Sequence, residues 1–167
     1  SLVHSDCSQY SYLDGVIHPT RYESVIKKIV RKGKYNDVYG TFSDLGVIIA
    51  EYLEKEHTDL LKDVTCTYVP LHMGKYIRRG YNQAKLLAKP FSIRNNVSLK
   101  NLIKRNAFTE TQTLKSREER ADNIRSVFSA RYKNTKDKFS SGKVFIFDDV
   151  YTTGATLNAC AKILKED

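Results

Sequence analysis

One stretch, VFIFDDVYTTGAT at residues 144–156, limits the fold more than any other part of the chain. Residues 143–148, KVFIFD, form the most strand-like run, apolar and aromatic until it ends in two acids, Asp148 and Asp149. A Thr/Gly loop follows, and a helix is expected from Gly154 to Lys165. In an open α/β sheet, ligands sit at the carboxyl ends of the strands, where such a loop would lie. The N-terminus of the following helix offers unpaired N–H groups and the positive end of a dipole, which suits a phosphate. Gly154 lets the backbone approach closely, and Thr152, Thr153 and Thr156 add hydroxyl donors. The acid pair would repel a phosphate, so it suits sugar hydroxyls and a hydrated Mg²⁺ beside it. The loop is not GxxxxGK[ST], because no Lys follows Gly154, and it is not GxGxxG. A plain strand–turn–helix with an Asp cap needs one acid, not two acids and three threonines.

The rest of the chain supplies further strands and helices. Residues 10–17, YSYLDGVI, read as a hairpin around an Asp14-Gly15 turn. Pro19 and Thr20 then open a helix running to about Arg31 and stopped by Gly33. A second helix is expected from about Asp37 to Glu56, with Phe42, Leu45, Ile48, Ile49, Tyr52 and Leu53 on its inner stripe. Residues 64–69, VTCTYV, are β-branched and aromatic and read as a strand closed by Pro70. A third helix spans about Gln83 to Ala88 and is ended by Pro90, with Asn82 as its N-cap. Short strands are expected near 97–99 and 127–130. Residues 104–120 are polar with little apolar period, long for an ordinary connection and therefore a candidate functional loop. A short helix over 116–124 follows, capped by Ser116 with Glu119 at the capping-box position, and 133–142 is a polar turn.

Composition narrows the class. At 167 residues, 41% hydrophobic and 28% charged, the chain reads as a single domain over 1–167 with a real core. No apolar run reaches the roughly 18 residues that would span a bilayer. The opening SLVHSDCSQY has neither a basic nor an apolar segment of a signal peptide, and the missing Met at position 1 reads as a trimmed start. Three well-separated cysteines, Cys7, Cys66 and Cys160, give no CxxC spacing, and the odd count fits a reducing, cytoplasmic setting. Cys66 reads as packed core, and the four histidines show no metal-ligand spacing. The net charge is +9, and it is concentrated. Residues 72–138 hold 17 Lys/Arg against 5 Asp/Glu, so the remainder is mildly acidic. Such a chain favours anionic partners without choosing among nucleic acid, acidic lipid and phosphorylated metabolites.

VFIFDDVYTTGAT resembles the phosphoribosyl-pyrophosphate (PRPP) motif of type I phosphoribosyltransferases, with Tyr151 where an aliphatic residue is commoner. VPLHMGKYIRRGYNQAKLLA (69–88) is similar to the segment that marks the ComF competence family. RNAFTETQTLKSREERADNIRSVF (105–128) resembles that family's next block, through Arg105, Thr111, Gln112, Leu114, Arg117, Arg120, Asn123 and Phe128. The opening segment with Lys27, Lys32 and Lys34 also looks like the family's start, so the resemblance covers about residues 10–165. Two departures, no zinc-binding cysteine module and a chain that stops at Asp167, read as a trimmed or divergent protein. Cys7 is internal, so the N-terminal Cys glutaminase chemistry of related amidotransferases is not expected.

The resemblance implies an α/β fold of the type I phosphoribosyltransferase kind, a central, mostly parallel sheet flanked by helices, with a flexible hood at 104–120. It implies pentosyl transfer from PRPP carried with Mg²⁺, a glycosyltransferase reaction, to an unidentified acceptor. Asp148 and Asp149 would hold the ribose hydroxyls, and Val150, Thr152, Thr153, Gly154, Ala155 and Thr156 would cradle the 5′-phosphate. Leu71, His72, Arg78 and Arg79 are the candidates for pyrophosphate, and Arg105, Gln112 and Arg117 would reach the ligand from the hood. No side-chain metal site is assigned. Arg78 and Arg79 read equally as a solvated helix entrance, Arg117 and Arg120 as surface partners of Glu118 and Glu119, and His72 as an ordinary turn residue. The family also implies DNA uptake in natural competence, with competence-machinery proteins as partners. Single-stranded DNA would meet the basic stretch interleaved with Tyr76, Tyr81, Phe91, Phe108, Phe128 and Tyr132. A non-catalytic DNA-handling protein and a PRPP sensor remain the alternatives.

Overall fold

The β-branched and aromatic run VTCTY forms β1 (Val64–Tyr68), the middle strand of a three-stranded parallel sheet. The computed structural model describes residues 11–20, 23–33, 39–106, 127–132 and 142–166. Within them the other elements are α1 (Ser24–Gly33), α2 (Tyr39–Glu56), a 3₁₀ turn (Thr58–Leu61), α3 (Met73–Arg79), α4 (Gln83–Arg94), β2 (Ser98–Leu99), β3 (Ile103–Arg105), β4 (Phe128–Ala130), β5 (Lys143–Phe147) and α5 (Ala155–Glu166). The sheet order is β2-β1-β5, and β3 pairs with β4 in a separate antiparallel ribbon. Parallel strands flanked by helices make this an α/β protein, as expected.

Alternation along the two long strands divides the core. Cys66 and Tyr68 of β1 and Phe145 and Phe147 of β5 point to one face, packed with Phe42 and Leu53 of α2 and Leu87 and Phe91 of α4. Phe91 sits 5.3 Å from Phe147 and 5.8 Å from Phe145, ring centre to ring centre. Val144 and Ile146 point the other way, toward Ile103, Phe128, Ala159, Cys160 and Leu164. The sheet therefore lies between the α2–α4 pair and a layer made of α5 and the β3–β4 ribbon. Thr67 Oγ1, fully buried, accepts the Leu102 N–H at 3.3 Å and ties the ribbon to β1.

Several expectations need correction. Residues 11–17 form no strand; instead the segment docks on α5, where Asn158 Oδ1 accepts the Tyr12 N–H at 2.6 Å. Lys162 lies over the Tyr12 ring, and Lys165 pairs with Asp14 at 2.7 Å. The helix expected from Pro19 starts at Ser24. Pro90 does not end α4, which continues to Arg94 with the proline inside it. Gly46 of α2 explains how the turn around Pro90 is accommodated: a Cβ there would lie 2.6 Å from the Leu87 carbonyl and 3.0 Å from the Pro90 ring, so the two helices meet where neither has bulk. Helix α3 stands where no element was expected, and Ile103–Arg105 is a strand although residues 104 and 105 were expected to begin a loop. The strands at 97–99 and 127–130 and the final helix stand where the sequence placed them. The hood from 107 to 120, with Gln112 and Arg117, and the 116–124 helix lie outside the described residues.

Candidate functional site

The chain leaves β5 directly into the acid pair. The Asp149 N–H turns back to Asp148 Oδ1 at 2.8 Å, so the first acid caps the turn that the second enters. Residues 150–154 then pass over the strand end. Gly154 has φ +75°, the left-handed region that favours glycine, and a Cβ on it would lie 2.6 Å from Tyr151 Oη. The loop is closed on that side by a phenol and opened by the absence of a side chain. Thr153 Oγ1 accepts the Ala155 N–H at 3.4 Å as α5 begins. The first-turn N–H groups of this twelve-residue helix have no intrahelical partners and face the loop.

A small pocket forms here, lined by Asp148, Val150, Thr152, Thr153, Gly154, Ala155 and Thr156, together with Tyr151 and Leu157. The structure thus brings together every expected loop residue and Asp148. Asp149 is adjacent but does not line the pocket. Tyr151 and Leu157 were not picked out from the sequence, because an aromatic and an aliphatic residue in a loop carry no chemical signature of their own.

The second group of candidates sits at the neighbouring strand end. Val69 donates its N–H to the Phe147 carbonyl at 2.9 Å, so the 70–72 turn leaves the sheet beside Asp148. His72 is the N-cap of α3, its Nδ1 accepting the Gly74 N–H at 3.2 Å. Leu71 is half-buried in the same turn. Arg78 and Arg79 end α3; Arg78 is exposed, while the Arg79 Nε is buried and lacks a hydrogen-bond partner. Asn82 caps α4 as expected, accepting the Lys85 N–H at 3.3 Å, and its amide donates to the Val69 carbonyl at 3.0 Å.

Arg105 is not in a loop but at the end of β3, its guanidinium over the Phe128 ring at 5.3 Å and its Nε buried without a partner. It and Asp148 are linked through Cys160. Burial pushes the Cys160 thiol up to about 12; Asp148 pushes the same way, and Arg105 opposes it. A cation and a carboxylate therefore both lie within electrostatic reach of one buried sulfur beneath the loop. Cys66 is likewise pushed up to about 12 by burial alone, so neither thiol is a nucleophile at neutral pH.

A cationic and aromatic surface lies nearby. Burial pushes the Tyr68 phenol up; Arg131 opposes this, and Tyr76 and Tyr132 add to it. Tyr76 and Tyr132 are 48% and 45% exposed, so these side chains meet solvent around a buried tyrosine. Met73 and Ile77 of α3 are more exposed still. Among the described residues no group of three or more His, Cys, Asp and Glu could hold a metal ion. No helix among them is long and apolar enough to cross a membrane.

Fold and site together define an α/β protein with an acid pair and a hydroxyl-rich, glycine-opened helix start at the carboxyl edge of a parallel sheet. The chain is 39% identical over 99 residues to Competence protein F of Haemophilus influenzae, a match covering 59% of this chain and 42% of that protein. It is 27% identical over 124 residues to Competence protein ComFC of Streptococcus pneumoniae, covering 71% and 49%. The chain is therefore similar to ComF competence proteins over part of its length, and it spans about half the length of the curated relatives it matches. No family model matches the chain, and no solved structure matches it.

Proposed function

We propose that this is a PRPP-binding, phosphoribosyltransferase-like protein of the ComF family with a role in DNA uptake during natural competence. The observation that carries the reading is the Asp148, Asp149 and Thr152–Thr156 sequence at the β5–α5 junction, where acceptors for hydroxyls adjoin donors for a phosphate. Each half of the ligand has a chemical counterpart. The carboxylates accept from ribose hydroxyls. The loop N–H groups, the threonine hydroxyls and the α5 N-terminus donate to the 5′-phosphate. The parallel β2-β1-β5 sheet and its loop at the carboxyl edge support a type I phosphoribosyltransferase-like fold.

Mg²⁺ enters with PRPP as part of the substrate, balancing the diphosphate charge. On this reading Arg79 and Arg105 would supply fixed cations to the leaving diphosphate. The acceptor is left open, because no general base for one is identified among the described residues. Calorimetric titration with Mg–PRPP tests the reading. Micromolar-range heat that disappears in Asp148→Asn/Asp149→Asn supports it, and equal affinity in that variant overturns it. Diphosphate release with mixed acceptors separates a transferase from a sensor.

A second reading, single-stranded DNA handling, is favoured by Tyr76 and Tyr132 standing exposed with Arg131 in reach of the same phenol. Exposed aromatics among cations bind single strands by stacking plus charge. Affinity for an oligothymidine that falls steeply with salt, and falls again in Tyr76→Ala/Tyr132→Ala, supports it. Affinity that is flat with salt excludes the charge-driven form.

A further inference from the structure

Among the described residues, three buried side-chain nitrogens have no hydrogen-bond partner: Arg79 Nε, Gln83 Nε2 and Arg105 Nε. All three are donors. They come from α3 and α4, which follow β1 in the chain, and from β3. Gln83 differs from the two arginines in being 2% exposed, so bulk water does not satisfy its amide. A buried donor left unpaired costs stability, and a chain that keeps one needs a reason.

Gln83 is the first residue of α4. Its neighbour Asn82 donates to the Val69 carbonyl at 3.0 Å, and Val69 donates to the Phe147 carbonyl at 2.9 Å. Two hydrogen bonds therefore tie the start of α4 to the residue before Asp148. The acid pair supplies acceptors to a ligand at this edge, whereas the orphaned groups supply donors alone. A sugar hydroxyl both donates and accepts, and a diphosphate oxygen only accepts. A donor-only set matches the diphosphate.

We propose that Gln83 is a ligand contact whose side-chain amide donates to a diphosphate oxygen at the strand end that Asn82 and Val69 fix. The proposal rests on the PRPP reading above. A carboxamide serves here because it donates without the desolvation cost of another buried charge.

The test is calorimetry with Mg–PRPP and with inorganic diphosphate, on the full chain and on Gln83→Met, which keeps length and removes the donor. The expected result is binding roughly 5–10-fold weaker for both ligands, as for one lost hydrogen bond. The unfolding temperature is expected unchanged or raised, because methionine leaves no orphaned amide. Unchanged diphosphate affinity overturns the proposal, and a lowered unfolding temperature beside it assigns Gln83 to the core. If Gln83→Met does not fold, the ¹⁵N side-chain amide signal of Gln83 in the native chain decides: it shifts when diphosphate is added, or the proposal fails. A native chain that binds Mg–PRPP while Gln83→Met binds it equally overturns this contact alone. A native chain that binds neither ligand overturns the site reading as well.

Discussion

Asp148 accepts the N–H of its own neighbour, Asp149, at 2.8 Å, which makes the two acids unequal. Asp148 holds the turn and lines the pocket, while Asp149 follows behind it. Asp148→Asn retains an acceptor for that N–H, so its melting temperature should stay close to the native one while Mg–PRPP affinity falls. Asp148→Ala removes the acceptor too, and should lose both stability and affinity. A charge-assisted hydrogen bond is worth about 1.5–3 kcal/mol, so a drop in affinity of roughly tenfold or more is expected in each. Paired melts and titrations check this, and an alanine variant that melts and binds like the native chain would contradict it.

The loop conformation depends on the residue at 154. With φ +75° and a phenol oxygen 2.6 Å from any added Cβ, Gly154→Ala meets both backbone strain and a clash. Destabilisation of about 1–2 kcal/mol is expected, with weakened phosphate binding. Tyr151→Phe in the same chain removes the phenol oxygen and should recover part of the loss. If the double variant is no better than the single one, backbone strain alone accounts for the effect.

Asn82 joins a helix cap to a strand end, so its removal should be felt in both places. Asn82→Ala leaves the Lys85 N–H and the buried Val69 carbonyl without this partner. A loss of about 1–3 kcal/mol follows from a cap and a buried hydrogen bond together. For a chain of this size that is several degrees in melting temperature, at roughly 2–4 °C per kcal/mol. Asn82→Asp can keep the cap but cannot donate to Val69, so it should fall between the two.

Burial raises the thiols of Cys66 and Cys160 to about 12 from an ordinary value near 9. A group whose folded value is raised stabilises the fold fully below its unfolded value and loses that contribution as the pH rises toward the folded one. Stability should therefore hold through neutral pH and decline between about 9 and 12, with Tyr68 acting in the same direction. Denaturant melts across that range measure it, and Cys66→Ala/Cys160→Ala should flatten the slope. In the native chain at pH 8, mass spectrometry after iodoacetamide should find both residues unlabelled, and labelled once the chain is unfolded.

The site was legible where its chemistry is local in sequence. Strand β5, the acid pair, Gly154 and α5 follow one another without a break, so a reading along the chain meets them in their spatial order. Helix α3 was missed because it has no inner stripe: Met73, Tyr76 and Ile77 all face solvent, and an unburied helix leaves no apolar period to detect. The hairpin expected at 10–17 failed for a different reason. Tyr12 is instead matched to α5, held by Asn158 and Lys162, and nothing nearby in sequence announces that distant partner. Pro90 misled because proline disfavours a helix interior without forbidding it, and here the helix continues past it with the ring packed at Gly46 of the facing helix. Arg105 was singled out by the resemblance of its segment, but its place on a strand depends on pairing with Phe128 across a long stretch of chain.

Strands β1 and β5 run in parallel with Val64 opposite Lys143 and Tyr68 opposite Phe147. Both candidate loops leave the sheet from this one pair, so the distance between them is a strand spacing of about 4.8 Å, not a property of the chain that joins them. The intervening residues can lengthen or shorten without moving the loops apart. A slip of one residue in the pairing would turn Phe147 out of its aromatic cluster and reverse the side from which the acids emerge. The placement of both loops therefore depends on the packing of Phe91, Phe145 and Phe147, well inside the sheet.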